Sequence, residues 1–470
     1  MPPLCFRRPC RRPEEDRECR GPPARPAGTK RCQGHRTPKE VVKSARLSFV
    51  TTASPLTFHV HCGRMAAFLG AECVDMKIPK PVLLLASGHF CVDLYSSMLA
   101  AFLPFLQDKL DLTLSQAGLL VGVLVFSSSL AQPIYGLLSD RFRSKAFVVL
   151  GPALAAVFIS CLGLAPGVKM LFLLLLLAGV GIASYHPQGA ALTHCVSGAS
   201  NHAFNMSIYV TAGTIGFALG PIYITSVIGL VGLTSTYWAA IPGLFVTLLL
   251  YLYSPSPAAF PAHQRTSLRE QVRGYVRPLL VLYTLVVIRS ITHSGISSFL
   301  PFYYMEHGYT AFRANQFLSI FLFTGGAAGL VGGWLADRYS GKRMMSFSFI
   351  AAFPLFLGFL VSDGLWSVFF SGLASAVLLF TSPVNIVMAQ RLIPRGASTV
   401  AALTMGFAWG TAGLLIPLVG SGIEYFGFNF TFALLALLTL PGFVLTLFLP
   451  ADDPVGGSVV RAVGIESQAR

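Results

Sequence analysis

The chain has 470 residues, of which 54% are hydrophobic and only 11% are charged, and its mean hydropathy is +0.66. This balance excludes an ordinary soluble domain and indicates a protein that is surrounded mainly by lipid. A net charge of +15 would suggest nucleic-acid binding in a soluble protein. Here the charge comes from loops between apolar runs and from a basic N-terminal segment, so we predict a lipid bilayer and no nucleic acid as partners.

Residues 1–75 differ in composition from the rest of the chain, since they are rich in Arg, Pro and Cys and show no apolar periodicity. They contain six of the nine cysteines but none of the close CxxC pairs typical of a zinc site, and we predict no metal. They also lack the pattern of a secretory signal. We expect this segment to be either disordered or an extension upstream of the true start of translation, at Met65 or Met76.

About twelve apolar runs follow, each long enough to cross about 30 Å of hydrocarbon as a helix. We number them spans 1 to 12. The first six lie at 82–106, 113–138, 146–165, 170–192, 204–230 and 234–253. The second six lie at 279–304, 314–336, 344–361, 366–390, 399–423 and 430–449. Because twelve is even, both ends of the chain are predicted to lie on the same side of the membrane.

Three segments of the first half return in the second half, each displaced by 197 residues. FLPF begins at Phe102 and again at Phe299, and GTIG at Gly213 returns as GTAG at Gly410. The third pair, GLLSDRFRSK and GWLADRYSGK, follows spans 2 and 8. A duplication of this length in a hydrophobic chain predicts two similar halves related by a parallel pseudo-two-fold axis, an architecture that suggests a transporter. The glycine segments also predict close packing between helices.

The predicted fold is an all-α membrane protein with twelve transmembrane helices in two pseudo-symmetric six-helix bundles. Its predicted parts are an N-terminal bundle, a cytoplasmic linker, a C-terminal bundle and a cytoplasmic tail, at residues 76–253, 254–277, 278–450 and 451–470.

The charges in the connections orient these spans, because short loops rich in Lys and Arg stay cytoplasmic. The odd-numbered connections contain only Lys109, Lys169 and Arg313. The even-numbered connections contain twelve basic residues: Arg141, Arg143, Lys145, Arg265, Arg269, Arg273, Arg277, Arg338, Lys342, Arg343, Arg391 and Arg395. We therefore predict that the odd-numbered connections lie outside and that both termini are cytoplasmic.

A G-x-x-x-D-R motif lies after span 2 and again after span 8. Its glycine allows two helices to approach closely, and its aspartate can cap a helix and pair with arginine across a cytoplasmic seam. In this loop the chain resembles the major facilitator superfamily, whose signature there is a Gly, an Asp and a basic cluster. The chain departs from that signature at Arg143-Ser144 and by an extra Ser340. The predicted gating residues are Gly136, Asp140, Arg141, Gly333, Asp337 and Arg338.

Ionisable residues inside the spans are few, and they cluster in spans 1 and 7. His89 and Asp93 are four residues apart and share one helical face, as do Arg289 and His293. Placing a charge at the bilayer centre costs about 2.5 to 3.5 kcal/mol on insertion scales, so such residues indicate function. The repeat offset puts Asp93 and Arg289 at nearly equal depth. We expect them either to neutralise each other or to share a substrate.

Further polar residues are predicted to line a central cavity. Span 4 contributes His186 and Gln188 beside Pro187, and span 10 contributes Asn385 near Pro383. Each proline is expected to bend its helix toward the cavity. Gln132 of span 2 and Trp409 of span 11 complete the predicted lining. The alternative for each polar residue is an interhelical hydrogen bond that only stabilises packing.

GHFCVDLYSSMLAAFLPFL in span 1 and YHPQG in span 4 resemble the fosmidomycin-resistance group of major facilitator transporters over roughly residues 80–450. The residues that match this group are His89, Asp93, Pro104, His186 and Pro187, whereas Gln188 stands where the group often has Glu. The resemblance implies efflux of an anionic compound by proton antiport. We predict that Asp93, assisted by His89, binds the coupling proton, and that the remaining lining residues bind substrate: Arg289, His293, His186, Gln188, Asn385, Gln132 and Trp409.

Other functions stay open at this point. An uptake permease for an organic anion or a sugar-like solute would have the same fold, and a membrane sensor with a transporter-like core is an alternative of another class. A membrane-bound enzyme is not expected, since the chain has no HExxH, GxSxG or Walker A motif. We predict no cofactor, a small-molecule substrate and protons as partners, function as a monomer, and a location in the cell membrane.

Overall fold

A computed structural model of the chain describes residues 78–142, 144–197, 202–256, 275–336, 339–392 and 406–450. The predictions for residues 1–75, for most of the linker and for the tail lie outside these ranges. So do those for Asp337, for Arg338 and for the side chain of Asp140.

Eleven helices in the described ranges are long and apolar enough to cross a membrane. The first half contributes Lys80–Leu110, Leu114–Gly136, Ala146–Leu164, Val168–Val196, Phe204–Val231 and Leu233–Tyr253. The second half contributes Val276–Glu306, Ala311–Gly333, Gly341–Val361, Gly364–Leu392 and Ala408–Thr446. We label the first ten α1 to α10 in this order, and each overlaps the predicted span of the same number.

The last of these helices is 39 residues long and combines two predicted spans. Gly427 lies inside it with φ 79°, a left-handed conformation in which glycine is favoured because it has no Cβ. The regular helix is broken there, between the predicted spans 11 and 12. We label residues 408–426 α11 and residues 428–446 α12. The predicted all-α fold with two six-helix halves is confirmed, with spans 11 and 12 joined at this glycine.

Helices α2 and α10 each depart from regular α-helical geometry within the membrane span. In α2 the segment Phe126–Leu130 is π-helical, and in α10 the regular helix is interrupted between Leu379 and Ser382. At the π-helical segment, Ser127 packs so closely against α4 that a Cβ atom on Gly179 would overlap its hydroxyl. The interruption in α10 falls just before Pro383, as expected for a residue that lacks a backbone N–H.

The duplication extends to individual contacts. Lys145 and Lys342, at equivalent positions, lie at the start of α3 and α9. Lys145 Nζ donates a hydrogen bond to the carbonyl oxygen of Tyr251 at 2.8 Å, near the end of α6. Lys342 Nζ donates to the carbonyl oxygens of Leu447 and Leu449 at 2.7 Å each, beyond the end of α12. A cation at the carbonyl end of a helix satisfies free acceptors and interacts favourably with the helix dipole.

The two glycine segments pack as predicted. A Cβ atom on Gly216 of α5 would overlap the carbonyl group of Phe90 in α1. A Cβ atom on Gly413 of α11 would overlap the side chain of Val125 in α2. The first segment thus holds two helices of one bundle together, whereas the second lies between the two bundles.

On the side of the odd-numbered connections, which we call the predicted outer side, the two bundles touch along two seams. At the seam of α2 and α11, the backbone N–H of Ser115 donates to Glu424 Oε1 at 2.7 Å. At the seam of α8 with α1 and α5, Asn315 Nδ2 donates to Thr225 Oγ1 at 2.8 Å and to the carbonyl oxygen of Ala101 at 3.4 Å. Asn315 is fully buried. We call this conformation the outer-closed state.

Candidate functional site

Three ionisable side chains meet inside the N-terminal bundle. His89 Nε2 lies 3.3 Å from Asp93 Oδ2, and His186 Nε2 of α4 lies 3.4 Å from Asp93 Oδ1. The two imidazole rings are 5.1 Å apart between centroids and almost perpendicular, at 86°. One atom from each of the three groups lies within 4.8 Å of the others, which is close enough for them to interact with the same cation. The predicted pair of His89 and Asp93 is therefore joined by His186.

Helix α5 forms one wall of this cluster. His89 Nδ1 lies 2.8 Å from the carbonyl oxygen of Tyr209, and the two rings stack with their centroids 4.2 Å apart. A Cβ atom on Gly213 would lie 2.5 Å from both Asp93 Oδ2 and His89 Cε1. Only glycine fits at this position without moving the histidine or the carboxylate. We call His89, Asp93 and His186 the N-bundle cluster.

A second site lies in the C-terminal bundle around Arg289 of α7, which is only 1% exposed. With its amide oxygen turned toward the guanidinium group, Asn385 accepts hydrogen bonds from both terminal nitrogens, at 2.9 and 2.5 Å. Arg289 Nε is buried and has no hydrogen-bond partner within the described residues. No acidic side chain in the same part of the chain forms an ion pair with Arg289. Among the described residues, this buried cation thus has one donor atom without a partner and no counter-charge.

His293 lies one helical turn after Arg289 and is also buried. Its Nε2 is 3.2 Å from Ser375 Oγ, and the Ser375 hydroxyl donates to the carbonyl oxygen of Phe321 at 2.7 Å. The histidine ring stacks on Phe321 at 4.8 Å and meets Trp409 edge-on at 6.2 Å. Direct contacts join Arg289 to Asn385 and His293 to Trp409, and Arg289 and His293 lie one turn apart on α7. We call these four residues the C-bundle site.

Two predicted lining residues lie outside both groups of contacts. Gln188 is buried in α4, two residues after His186. Gln132 lies at the seam between the bundles, where its Oε1 would be 3.5 Å from a Cβ atom on Gly406. Both remain predicted substrate ligands.

The two charged centres are engaged within their own bundles. Asp93 pairs with His89 and His186, whereas Arg289 bonds to Asn385. Direct neutralisation of Asp93 by Arg289, one of the two possibilities stated above, is thus not seen in the outer-closed state. His186, predicted as a substrate ligand, contacts the predicted proton carrier.

The predicted gating glycines occupy equivalent positions in the two halves. A Cβ atom on Gly136 would lie 3.8 Å from Pro187 of α4, and one on Gly333 would lie 3.8 Å from Pro383 of α10. At this distance a Cβ atom would make an ordinary van der Waals contact, so the expected need for glycine in a close approach of two helices is not seen at either position. Arg141 is exposed, with its guanidinium carbon 5.9 Å from the centroid of the Phe142 ring.

Several contact residues were missed from the sequence. Tyr209 acts on His89 through its backbone carbonyl, which any residue type would supply. Ser375 binds His293 from a run of small residues in α10 that shows no polar signature. A signal was present only for Gly213, which belongs to the duplicated GTIG segment and was assigned to packing alone.

Comparison with known proteins identifies the architecture independently. The family model described as "Major Facilitator Superfamily" matches residues 85–417 and 317–465. The Fosmidomycin resistance protein of Escherichia coli K12 is 26% identical over 373 residues, covering 77% of this chain and 91% of that protein. The Quinolone resistance protein NorA of Staphylococcus aureus MRSA252 is 23% identical over 345 residues, covering 70% and 84%.

Solved structures agree on the fold. The nucleoside transporter NupG superposes with a TM-score of 0.65 at 14% sequence identity, covering 79% of this chain and all of that one. A bacterial homologue of the human lysosomal transporter Spinster, in an inward-facing and occupied conformation, gives a TM-score of 0.63 at 13% identity, covering 78% and 96%.

Proposed function

The chain belongs to the major facilitator superfamily, and we propose that this multi-pass membrane transporter exports a small organic anion in exchange for protons. Alternating access through rocking of the two bundles would expose the N-bundle cluster and the C-bundle site to each side in turn. We further propose that it works as a monomer in the cell membrane with both termini in the cytoplasm.

The observation that carries this proposal is the buried guanidinium group of Arg289. A charge inside the membrane costs about 2.5 to 3.5 kcal/mol on insertion scales, and this cost is not offset where the charge has no counter-ion. Asn385 accepts one hydrogen bond from each terminal nitrogen, and Nε has no partner among the described residues. An anionic substrate that accepts from Nε supplies the missing charge and the missing hydrogen bond together.

Proton coupling is assigned to the N-bundle cluster. Asp93 is the only acidic residue within α1 away from its ends, and two histidines contact its carboxylate. A carboxylate and imidazoles in contact can take up and release protons without a change in backbone structure. We propose that Asp93, assisted by His89, carries the coupling proton while the C-bundle site carries the anion.

The direction of transport is proposed from the relatives. Two of the named relatives are resistance proteins, for fosmidomycin and for quinolones. Export of an inhibitor explains resistance, and an anionic compound matches the free cation in the C-bundle site. Uptake of an organic anion would use the same two sites, so direction is the decisive measurement.

The test is proton flux in proteoliposomes of known protein orientation on addition of fosmidomycin, other small phosphonates or carboxylates. We expect wild-type flux in the antiport direction and its loss in Asp93→Asn. Arg289→Gln should weaken substrate binding by roughly 10- to 150-fold, from the 1.5 to 3 kcal/mol of a hydrogen bond to a charged group. Arg313→Gln, which changes an exposed arginine of α8 that bonds only locally to Gln316, is the matched control. No flux with any anion, or equal flux in Asp93→Asn, would contradict the proposal.

A further inference from the structure

The hydrogen position on His89 follows from its contacts. A backbone carbonyl oxygen only accepts hydrogen bonds, so the Nδ1 atom 2.8 Å from Tyr209 O must carry a hydrogen. The stacked Tyr209 ring holds the imidazole in this orientation. In a neutral histidine, Nε2 is then a bare acceptor.

That bare acceptor faces another acceptor. His89 Nε2 lies 3.3 Å from Asp93 Oδ2, and His89 is only 9% exposed. A neutral imidazole and an ionised carboxylate in this arrangement would place two lone pairs against each other in a poorly hydrated site, which is unfavourable. The contact becomes attractive when one positive charge lies between the two atoms. A proton on Nε2 gives an imidazolium–carboxylate pair, and a proton on Oδ2 gives a neutral hydrogen-bonded pair.

The surroundings favour a proton over a larger cation. Gly213 closes the contact from α5 so tightly that a Cβ atom would already be 2.5 Å from both groups, which leaves no room for a hydrated ion on that side. The two histidines face different oxygens of Asp93, whereas a metal ion draws its ligands toward one point. Among the described residues, the other ionisable side chains near Asp93 are Tyr185, whose hydroxyl donates to the carbonyl oxygen of Leu85, and Tyr209, and neither supplies positive charge.

We infer that the outer-closed state holds one proton in the contact between His89 Nε2 and Asp93 Oδ2, and that His186 accepts this proton on its way out. The inference rests on the proposed proton coupling and specifies where, and in which conformation, the proton is bound. The side-chain exposure is 11% for His89, 17% for Asp93 and 23% for His186, so solvent contact increases along this path. Because the outer seams are closed, release is toward the cytoplasm.

The transfer balances without another reactant. The N–H bond at His89 Nε2 breaks, and an O–H bond forms at Asp93 Oδ2. Rotation of the neutral carboxyl group turns this O–H toward the lone pair of His186 Nε2, where the O–H bond breaks and an N–H bond forms. His186 thus starts with its hydrogen on Nδ1, and its bare Nε2 is tolerated because this side chain is the most exposed of the three. Neutral His89, ionised Asp93 and a His186 imidazolium remain, and His186 then gives the proton to water. The net charge of the N-bundle cluster is unchanged until that last step.

Histidine and carboxyl NMR of the protein in lipid nanodiscs tests the bound proton. A disulfide between Ser115→Cys and Ser421→Cys would hold the outer-closed state, since the two serine hydroxyls are 2.9 Å apart. With ¹⁵N-labelled histidine and ¹³C-labelled aspartate, we expect either an imidazolium at His89 or a protonated Asp93. His293 is the matched control: Ser375 donates to Phe321 and therefore accepts from His293 Nε2, which fixes a hydrogen on that nitrogen. Because His293 is buried one helical turn from the Arg289 cation, a second positive charge is unfavourable and the ring should be neutral. A neutral His89 with an ionised Asp93 would overturn the inference, as would a signal that disappears on chelator treatment.

Release through His186 has its own test. His186→Gln should retain a polar side chain beside Asp93 but slow proton release severalfold when the outer-closed state is formed. His194→Gln, the same substitution at an exposed position of the same helix, should leave the release rate unchanged. Equal release rates in His186→Gln and wild type would remove His186 from the path.

These outcomes separate the inference from the proposed function. A proton found between His89 and Asp93 without anion-coupled flux would preserve the inference and refute the coupling. Anion-coupled flux in a protein whose contact between His89 and Asp93 holds no proton would support the proposed coupling and refute the inference.

Discussion

Adding one methyl group at the outer seam should shift the conformational equilibrium of the transporter. A Cβ atom on Gly420 of α11 would lie 2.8 Å from the carbonyl carbon of Leu114 and 3.0 Å from Cα of Ser115. Both neighbours are backbone atoms of α2, which cannot rotate away as a side chain can. Gly420→Ala therefore forces α2 and α11 apart in the outer-closed state. In a conformation where this seam has opened, the same methyl group fits without strain.

The size of the effect follows from the overlap. Overpacking a well-packed contact costs about 1 to 3 kcal/mol. Because the strain acts on one conformation only, the ratio of outer-closed to outer-open molecules should fall by roughly 5- to 150-fold. The gain in helix propensity from Gly to Ala is present in both conformations and cancels.

Thiol labelling measures this ratio. Thr225 is 4% exposed and lies in the other seam, so Thr225→Cys should react with a membrane-impermeant reagent only when the outer side opens. In a background without native cysteines, Gly420→Ala should accelerate labelling within the stated range. Gly229→Ala is the control, since no atom lies within 4 Å of a Cβ atom at this α5 position. Unchanged labelling in a folded Gly420→Ala protein, or equal acceleration by the control, would refute the reasoning.

Two further predictions concern stability. Lys342→Met should lower the thermal unfolding midpoint in detergent more than Lys145→Met, because Lys342 donates to two carbonyl oxygens and Lys145 to one. An equal fall in the midpoint would show that the number of these hydrogen bonds does not set the stability. Tyr95→Phe should destabilise the N-terminal bundle by about 1 to 3 kcal/mol, since it leaves the buried N–H of Gly243 without its acceptor and removes one of the two tyrosine hydroxyls, those of Tyr95 and Tyr223, that donate to the carbonyl oxygen of Ala239. Tyr237→Phe on the exposed surface is its control in urea or thermal unfolding, and equal effects would argue against the buried hydrogen bonds.

The fold was predictable because lipid imposes a simple rule on sequence. Every span must be apolar and helical, so hydrophobic runs and the 197-residue repeat predict helix number and pseudo-symmetry. The same rule does not indicate where a helix deviates locally. The π-helical segment Phe126–Leu130 and the break at Gly427 follow from packing against other helices and from one backbone conformation, which leave no periodic signal.

The sequence predicted which residues belong to the candidate site, but it predicted less well which of them lie in contact. Helical spacing places His89 beside Asp93, and a buried Arg289 stands out because charges are rare in spans. The approach of His186 to Asp93 depends on how α4 packs against α1, and the orientation of His89 depends on a carbonyl group of α5. Backbone groups are the same for nearly every residue type, so such contacts have no signature in the sequence.

The missing counter-charge of Arg289 has an electrical consequence. Moving one elementary charge through a membrane potential involves about 2.3 kcal/mol per 100 mV. On the proposed cycle, a monoanion neutralises the C-bundle site during export, while the N-bundle cluster has released its proton and carries one negative charge. On the return the C-bundle site is empty and positive, and the protonated N-bundle cluster is neutral. The membrane potential therefore acts on both steps, and a cell that depolarises would weaken the drive for export and for resetting alike.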